Sequence, residues 1–194
     1  VDNVIYADVV NIDGGIYNPA DAGTNYRLTG FANGRDGELN GLEINFIGQA
    51  ADLLPSPFDG FGVSANFTFL DSEFSTLGGA KFSLPGTSDS IYNASFFYEK
   101  YGFSARVNYM YRDAWLSTTE ADGLAEFWDE QERVDLSLRY ILPESLTGGS
   151  QVTLFANVNN LTEEEDLRFL GTSATPNQFE GFGRFYVLGA RFDL

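Results

Sequence analysis

Residues 92–112 read YNASFFYEKYGFSARVNYMYR. Two runs of alternating side chains flank a break at Lys100–Gly102. In the first run Tyr92, Ala94, Phe96 and Tyr98 share a face, and Asn93, Ser95, Phe97 and Glu99 share the other. In the second, Phe103, Ala105, Val107, Tyr109 and Tyr111 oppose Ser104, Arg106, Asn108, Met110 and Arg112. Successive side chains of a strand point to opposite faces, so both runs read as strands joined by a tight turn.

The same period recurs along the chain. Val134, Leu136, Leu138, Tyr140 and Leu142 oppose Arg133, Asp135, Ser137, Arg139 and Ile141. Val152, Leu154, Ala156 and Val158 oppose Gln151, Thr153, Phe155, Asn157 and Asn159. Leu42, Ile44 and Phe46 form one apolar face, and Val63, Ala65, Phe67 and Phe69 another. The last run, FYVLGARFDL (185–194), sets Tyr186, Leu188, Ala190, Phe192 and Leu194 against Phe185, Val187, Gly189, Arg191 and Asp193. The pattern predicts an all-β antiparallel meander of about eight strands, over 1–11, 27–49, 61–73, 87–100, 103–115, 132–143, 150–160 and 182–194. The second is interrupted by NGRDG (33–37), as one bulged strand or a small hairpin. No stretch carries a helical period.

The connections alternate in length. Segments 51–60, 100–102 and 143–149 are short; those near 10–26, 74–86, 116–131 and 161–181 are longer and richer in acid, Gly and Asn. In a meander this gathers the short turns at one end and the long loops at the other, the asymmetry of outer-membrane barrels. The two faces agree with that setting. The polar face carries Ser, Asn, Thr, Gln and charges such as Arg106, Arg139, Asn157 and Arg191, with little Lys, which suits a wet or plugged lumen. The apolar face, with Phe96, Val107, Leu136, Leu138, Val152 and Leu154, is expected to meet lipid. Tyr92, Tyr98, Tyr111, Tyr140 and Tyr186 near strand ends read as headgroup-level girdles. A barrel also explains an alternating strand that runs to the last residue, since lipid tolerates no unpaired edge.

Composition excludes several classes. Eleven Lys plus Arg stand against 28 Asp plus Glu, a formal charge of -17 over 194 residues, so nucleic acid is not an expected partner. With no Cys and no His, thiol nucleophiles, imidazole bases and the usual zinc ligands are missing. No metal or cofactor is expected. The acids at Asp129, Glu130 and Glu132, and at Glu163–Asp166, lack a second motif that would fix catalytic geometry, so no enzyme is expected. Asp122, Glu126, Asp129 and Glu130 offer oxygens to Ca²⁺ but not the spacing of a defined calcium loop.

Four stretches carry a family resemblance. LPGTSDSIYNASFFYEKYGFSARVNYMYRD (84–113) resembles the part of TonB-dependent outer-membrane receptors where a Pro, an Asn, a Tyr-Glu, a Gly and a Tyr-Arg mark two consecutive barrel strands. FANVNNLTEEE (155–165) is similar to their penultimate strand and its Asn-Leu-Thr exit. NGRDGELNGLEINF (33–46) is similar to their Asn-Gly strand, and FYVLGARFDL to their closing strand, although Leu194 stands where the family usually ends on Phe. The resemblance implies the C-terminal part of a 22-stranded outer-membrane barrel, residues 1–194 forming one barrel segment. It implies a plug domain and a TonB box that this segment does not contain. The implied partners are outer-membrane lipid, a TonB-type energy transducer acting through the plug, and a small scarce ligand such as an iron chelate, cobalamin or an oligosaccharide. The implied location is the outer membrane of a Gram-negative bacterium.

Trp115, Phe127 and Trp128 in the long connections are the candidate ligand-binding residues, able to stack on a sugar or aromatic chelate. The same rings can pack loop on loop or anchor at the interface. Two further readings stay open from the residues alone: a complete eight-stranded outer-membrane barrel, and a soluble glycan-binding β-domain. Pairing between residues 1–11 and 182–194 would distinguish the first.

Overall fold

The computed structural model describes residues 4–16, 18–51, 53–121 and 124–193. The strands are β1 (Ile5–Asp13), β2 (Asn25–Asn33), β3 (Gly37–Gln49), β4 (Phe61–Ser75), β5 (Lys81–Phe82), β6 (Ser90–Lys100), β7 (Phe103–Arg112), β8 (Trp115–Ala121), β9 (Leu124–Trp128), β10 (Gln131–Ile141), β11 (Gln151–Asn159), β12 (Asp166–Leu170), β13 (Pro176–Glu180) and β14 (Phe185–Asp193). One helical turn, α1 (Glu144–Thr147), links β10 to β11 and ends on Gly148 at φ 67°, a left-handed position that suits glycine.

Seven long strands form one antiparallel wall in the order β14-β11-β10-β7-β6-β4-β3, with the short β5 added beside β4. The sequence alternation becomes register across it. Gly48 pairs with Val63, Val63 with Phe96, Phe96 with Val107, Val107 with Leu136, Leu136 with Val158 and Val158 with Tyr186. That row crosses from one sheet edge to the other on a single face, and its only polar group is the last phenol. The neighbouring row on the opposite face is Gln49, Gly62, Phe97, Arg106, Ser137, Asn157 and Val187. Two of the rings on that polar face cover glycines. A Cβ at Gly62 would lie 2.3 Å from Phe97, and one at Gly189 2.3 Å from Phe155, the aromatic cover that steadies glycine in a sheet.

Aromatic pairs bracket the apolar band. At the long-connection end Tyr92 contacts Phe67, Phe69 and Tyr111, with centroids 5.8, 5.8 and 5.4 Å away. At the short-turn end Phe61, Phe96, Tyr98 and Phe103 meet at 4.8–6.3 Å. Phe103 and Tyr111 stand at opposite ends of β7, about 26 Å apart along a strand at roughly 3.3 Å per residue. Tilted by about 40°, that is roughly 20 Å of height, comparable with the apolar band of an outer-membrane barrel. The band is open to the surroundings: Leu42, Phe96 and Leu188 expose 59%, 56% and 79% of their surface. A soluble sandwich would bury this face under a second sheet. The buried apolar cluster of Val4, Tyr6, Phe74 and Leu116 lies at the long-connection end of the wall, where β1 and β8 meet the end of β4.

Three expectations change. Residues 5–13 do not join the wall; they pair with β2 in a separate two-stranded ribbon, from Ile5 opposite Asn33 to Asp13 opposite Asn25. Their face mixes Tyr6, Asp8 and Val10, which would make a poor lipid surface. Segment 27–49 is neither a bulged strand nor a hairpin. It divides at Gly34–Asp36, where the Gly34 N–H donates to Val4 O (2.7 Å) and the Arg35 N–H to Ser75 O (2.9 Å). The connections 116–131 and 161–181 contain strands: β8, β9, β12 and β13 make a four-stranded sheet in the order β13-β12-β9-β8. Because β7 leads into β8, β9 into β10, β11 into β12 and β13 into β14, this sheet repeats the wall's order β14-β11-β10-β7. It is the wall continued past a break. The wall itself does not close among the described residues: β3 and β14 are its two edges, and no ladder joins residues 5–13 to 185–193.

Candidate functional site

Trp115 opens β8 and Trp128 closes β9, and the hairpin register sets them opposite each other. Their rings stack at 5.5 Å with 13° between planes. The Arg112 guanidinium lies 3.7 Å from the Trp115 ring centre, and that of Arg168 3.8 Å from Trp128. Arg112 is held from the β6 side, its Nε donating to Ser88 Oγ (2.8 Å) and its Nη2 to Gly86 O (2.6 Å). Ser88 bridges to Trp115, Trp115 pairs with Trp128, and Trp128 pairs with Arg168. The order along the row is therefore guanidinium, indole, indole, guanidinium, and both faces of each indole are covered. Each cation–π contact is worth about 0.5–1 kcal/mol at such sites, and the indole pair about 0.5–1.5 kcal/mol.

Acids fix the cations. Arg168 Nη2 reaches Glu180 Oε1 at 3.3 Å and its Nη1 reaches Glu126 Oε2 at 4.0 Å. Buried Glu126 also accepts from Asn177 Nδ2 (2.8 Å). Asp166, buried and on the same side of β12 as Arg168, accepts from Arg133 Nη2 and Gln131 Nε2, each at 2.5 Å. A carboxylate out of water needs such partners. Arg112, Gln131 and Arg133 stand near the end of the wall, where Gln131 pairs with Arg112 and Arg133 with Met110 on the polar face. The stack and its acids therefore extend the wall's polar face into the hairpins.

Phe127 sits on the other side. It pairs with Leu116 and Phe169 across the sheet and stacks on Phe169 at 5.4 Å, against the cluster that buries Leu116. Of the three residues singled out in the sequence, Trp115 and Trp128 come together, and Phe127 is on the opposite face. Sequence reading placed Arg112 only on a polar strand face, Glu126 only among possible calcium oxygens and Asp166 only in an acidic run, and it missed Arg168. For Asp166 and Arg168 the signal is the alternation in DLRFL (166–170), legible once that segment is known to be a strand.

The acids considered as catalytic or calcium-binding are engaged locally. Glu130 N–H donates to Asp129 Oδ1 (3.0 Å), Tyr111 OH to Glu130 Oε2 (2.9 Å), and Glu132 N–H to Glu164 Oε1 (3.1 Å). Asp122 lies outside the described residues. Among the described residues no three metal-ligating side chains converge. In the outer segments, N–H groups of Gly15 and Gly23 donate to the Asp13 carboxylate and hold it below its ordinary range. A hydrogen bond to Glu73 pushes the Lys81 ammonium up.

A model of the family described as TonB dependent receptor-like, beta-barrel, matches residues 1–161. The chain belongs to that family. The family consists of transporters of the Gram-negative outer membrane, not enzymes. No curated protein and no solved structure matches the chain. The family match ends within the turn after β11, yet β14 beyond it pairs with β11 over the whole of 151–159.

Proposed function

We propose that this chain forms part of the barrel wall and the ligand-side hairpins of an outer-membrane receptor that imports a scarce small ligand: an iron chelate, cobalamin or an oligosaccharide. The observation that carries this reading is the wall's apolar row from Gly48 to Tyr186, uninterrupted on one face and backed by a polar face. In hydrocarbon each unpaired backbone group at β3 and β14 would cost several kcal/mol. Further strands therefore complete the wall, toward the 22 of the receptor barrels. A plug domain elsewhere in the receptor couples to a TonB-type transducer. Trp115 and Trp128 meet the ligand by their edges, since their faces are already taken. Phe127 supports the hairpin from behind.

Uptake by cells carrying the full receptor tests this. With a panel of ferric chelate, cobalamin and oligosaccharide, one ligand is expected to enter, and its entry to stop when the proton gradient is dissipated. Entry indifferent to the gradient, or no entry of any of these classes, would contradict the reading.

A further inference from the structure

At the short-turn end the wall's apolar face is hollowed. Phe46, Leu53, Phe61, Val63 and Phe96 surround Gly48 in an apolar slot of about 270 Å³. The missing side chain at Gly48 opens its floor; a Cβ there would lie 3.2 Å from the Phe46 ring. The turn beside it, residues 53–60, is unusually apolar: Leu53 and Phe58 expose 81% and 55% of their surface, and Phe58 stacks on Phe61 at 6.5 Å. Next to Phe61, where a Cβ at Gly60 would lie 3.0 Å from the Lys100 side chain, is a paired charge set in hydroxyls. Lys100 forms an ion pair with Asp59, its Nζ donates to Ser56 Oγ (3.1 Å), and Ser56 Oγ bonds Tyr101 OH (2.6 Å). Lys100 also lies 5.0 Å from the Tyr101 ring centre.

From this juxtaposition we infer that the slot holds an acyl chain of a zwitterionic, primary-amine phospholipid. The inference rests on the membrane-spanning reading. An apolar slot beside a single-sign patch would select an anionic lipid; here the neighbouring turn and strand end carry one cation and one anion. The lipid phosphate takes Lys100 and the hydroxyls of Ser56 and Tyr101, and the lipid ammonium takes Asp59. The exchange of one ion pair for two leaves no charge unpaired, which is what a partly shielded pair requires. The acyl chain covers Gly48 and Val63, where the sheet itself supplies no bulk.

Native mass spectrometry of the full receptor in detergent, titrated with phosphatidylethanolamine or phosphatidylglycerol of identical chains, tests the site. One phosphatidylethanolamine adduct is expected to persist after phosphatidylglycerol has been stripped. Gly48→Leu, which fills the slot, and Lys100→Gln, which removes the phosphate partner, should each weaken it about tenfold. Leu53→Gln on the exposed turn should weaken it also, and serves if Gly48→Leu fails to fold. Leu188→Gln, on the apolar face but far along the sheet, should leave it unchanged. Equal retention of the two lipids, or an adduct indifferent to all three slot variants, would overturn the inference. A receptor that inserts in bilayers yet shows no selective adduct defeats this site alone, whereas failure to insert defeats the membrane reading beneath it.

Discussion

Asp166 shows how much one side chain secures at the junction of wall and hairpins. It is 7% exposed, and it is the acceptor for both Arg133 and Gln131. Asp166→Ala leaves the Arg133 guanidinium without its main acceptor; because Arg133 is itself about one-third exposed, water relieves part of the loss. The expected cost is about 1–3 kcal/mol, read as faster amide exchange across β12 and β13 with the wall unchanged. Trp115→Ala removes one indole face from Trp128 and the platform under Arg112. It should loosen the β8–β9 hairpin by about 1–2 kcal/mol, measured by chymotrypsin cleavage there. Asp13 gives a pH signature. Its folded carboxyl titrates below the unfolded value, so its contribution is full above the ordinary carboxylate range and is lost as pH falls through the lower folded value. Protection of the Gly15 and Gly23 amides should therefore survive mild acid and vanish only beneath that range, as followed by hydrogen exchange.

Among elements, the wall strands were legible because each has one face in lipid-like apolar register and one in polar register, a period of two that sequence displays directly. Phe96, Val107, Leu136 and Val158 were each assigned to the apolar face from their own strand, and the ladders join them in one row. The hairpins were not legible. In β8 and β9 the register shifts between Leu116 and Thr118 and again between Thr118 and Ala121, and in β12 and β13 between Arg168 and Phe169. Each shift breaks the period and makes a strand read as an acidic loop. The stack of Arg112, Trp115, Trp128 and Arg168 was hidden with it, since its members come from four strands whose pairing no local pattern reveals. The four residues of α1 are too few to show a helical period. The covered glycines give an element-scale prediction. Gly62→Val forces Phe97 from its seat across the β4–β6 ladder and should destabilise the wall by about 1–3 kcal/mol. Gly30→Val, with open space around its Cβ, should cost far less. Urea unfolding of the two variants in lipid vesicles compares them.

For the whole molecule the central claim is that one face of the wall is solvated by hydrocarbon. The structure carries that claim through the exposed apolar row, the aromatic pairs that bracket it and the buried cluster gathered at the wall's long-connection end. Net charge and modest hydropathy, which at first sight suit a soluble domain, owe much to acids outside the wall strands. Asp13, Glu120, Glu126, Asp129, Glu130, Glu163, Glu164, Glu165, Asp166 and Glu180 all belong to the hairpins and their connections. Leu136 and Ser137 are adjacent on β10, but Leu136 opposes Val107 and Val158, whereas Ser137 opposes Arg106 and Asn157. Val107 lies midway between the aromatic ends of β7, so Leu136 is near the middle of the apolar band. The most direct measurement is the folding free energy of Leu136→Arg and Ser137→Arg in liposomes, made in the full receptor. Leu136→Arg is expected to lose about 2–4 kcal/mol, the cost of an arginine facing the bilayer midplane, and Ser137→Arg about 1 kcal/mol or less. Equal losses at the two positions would contradict the account.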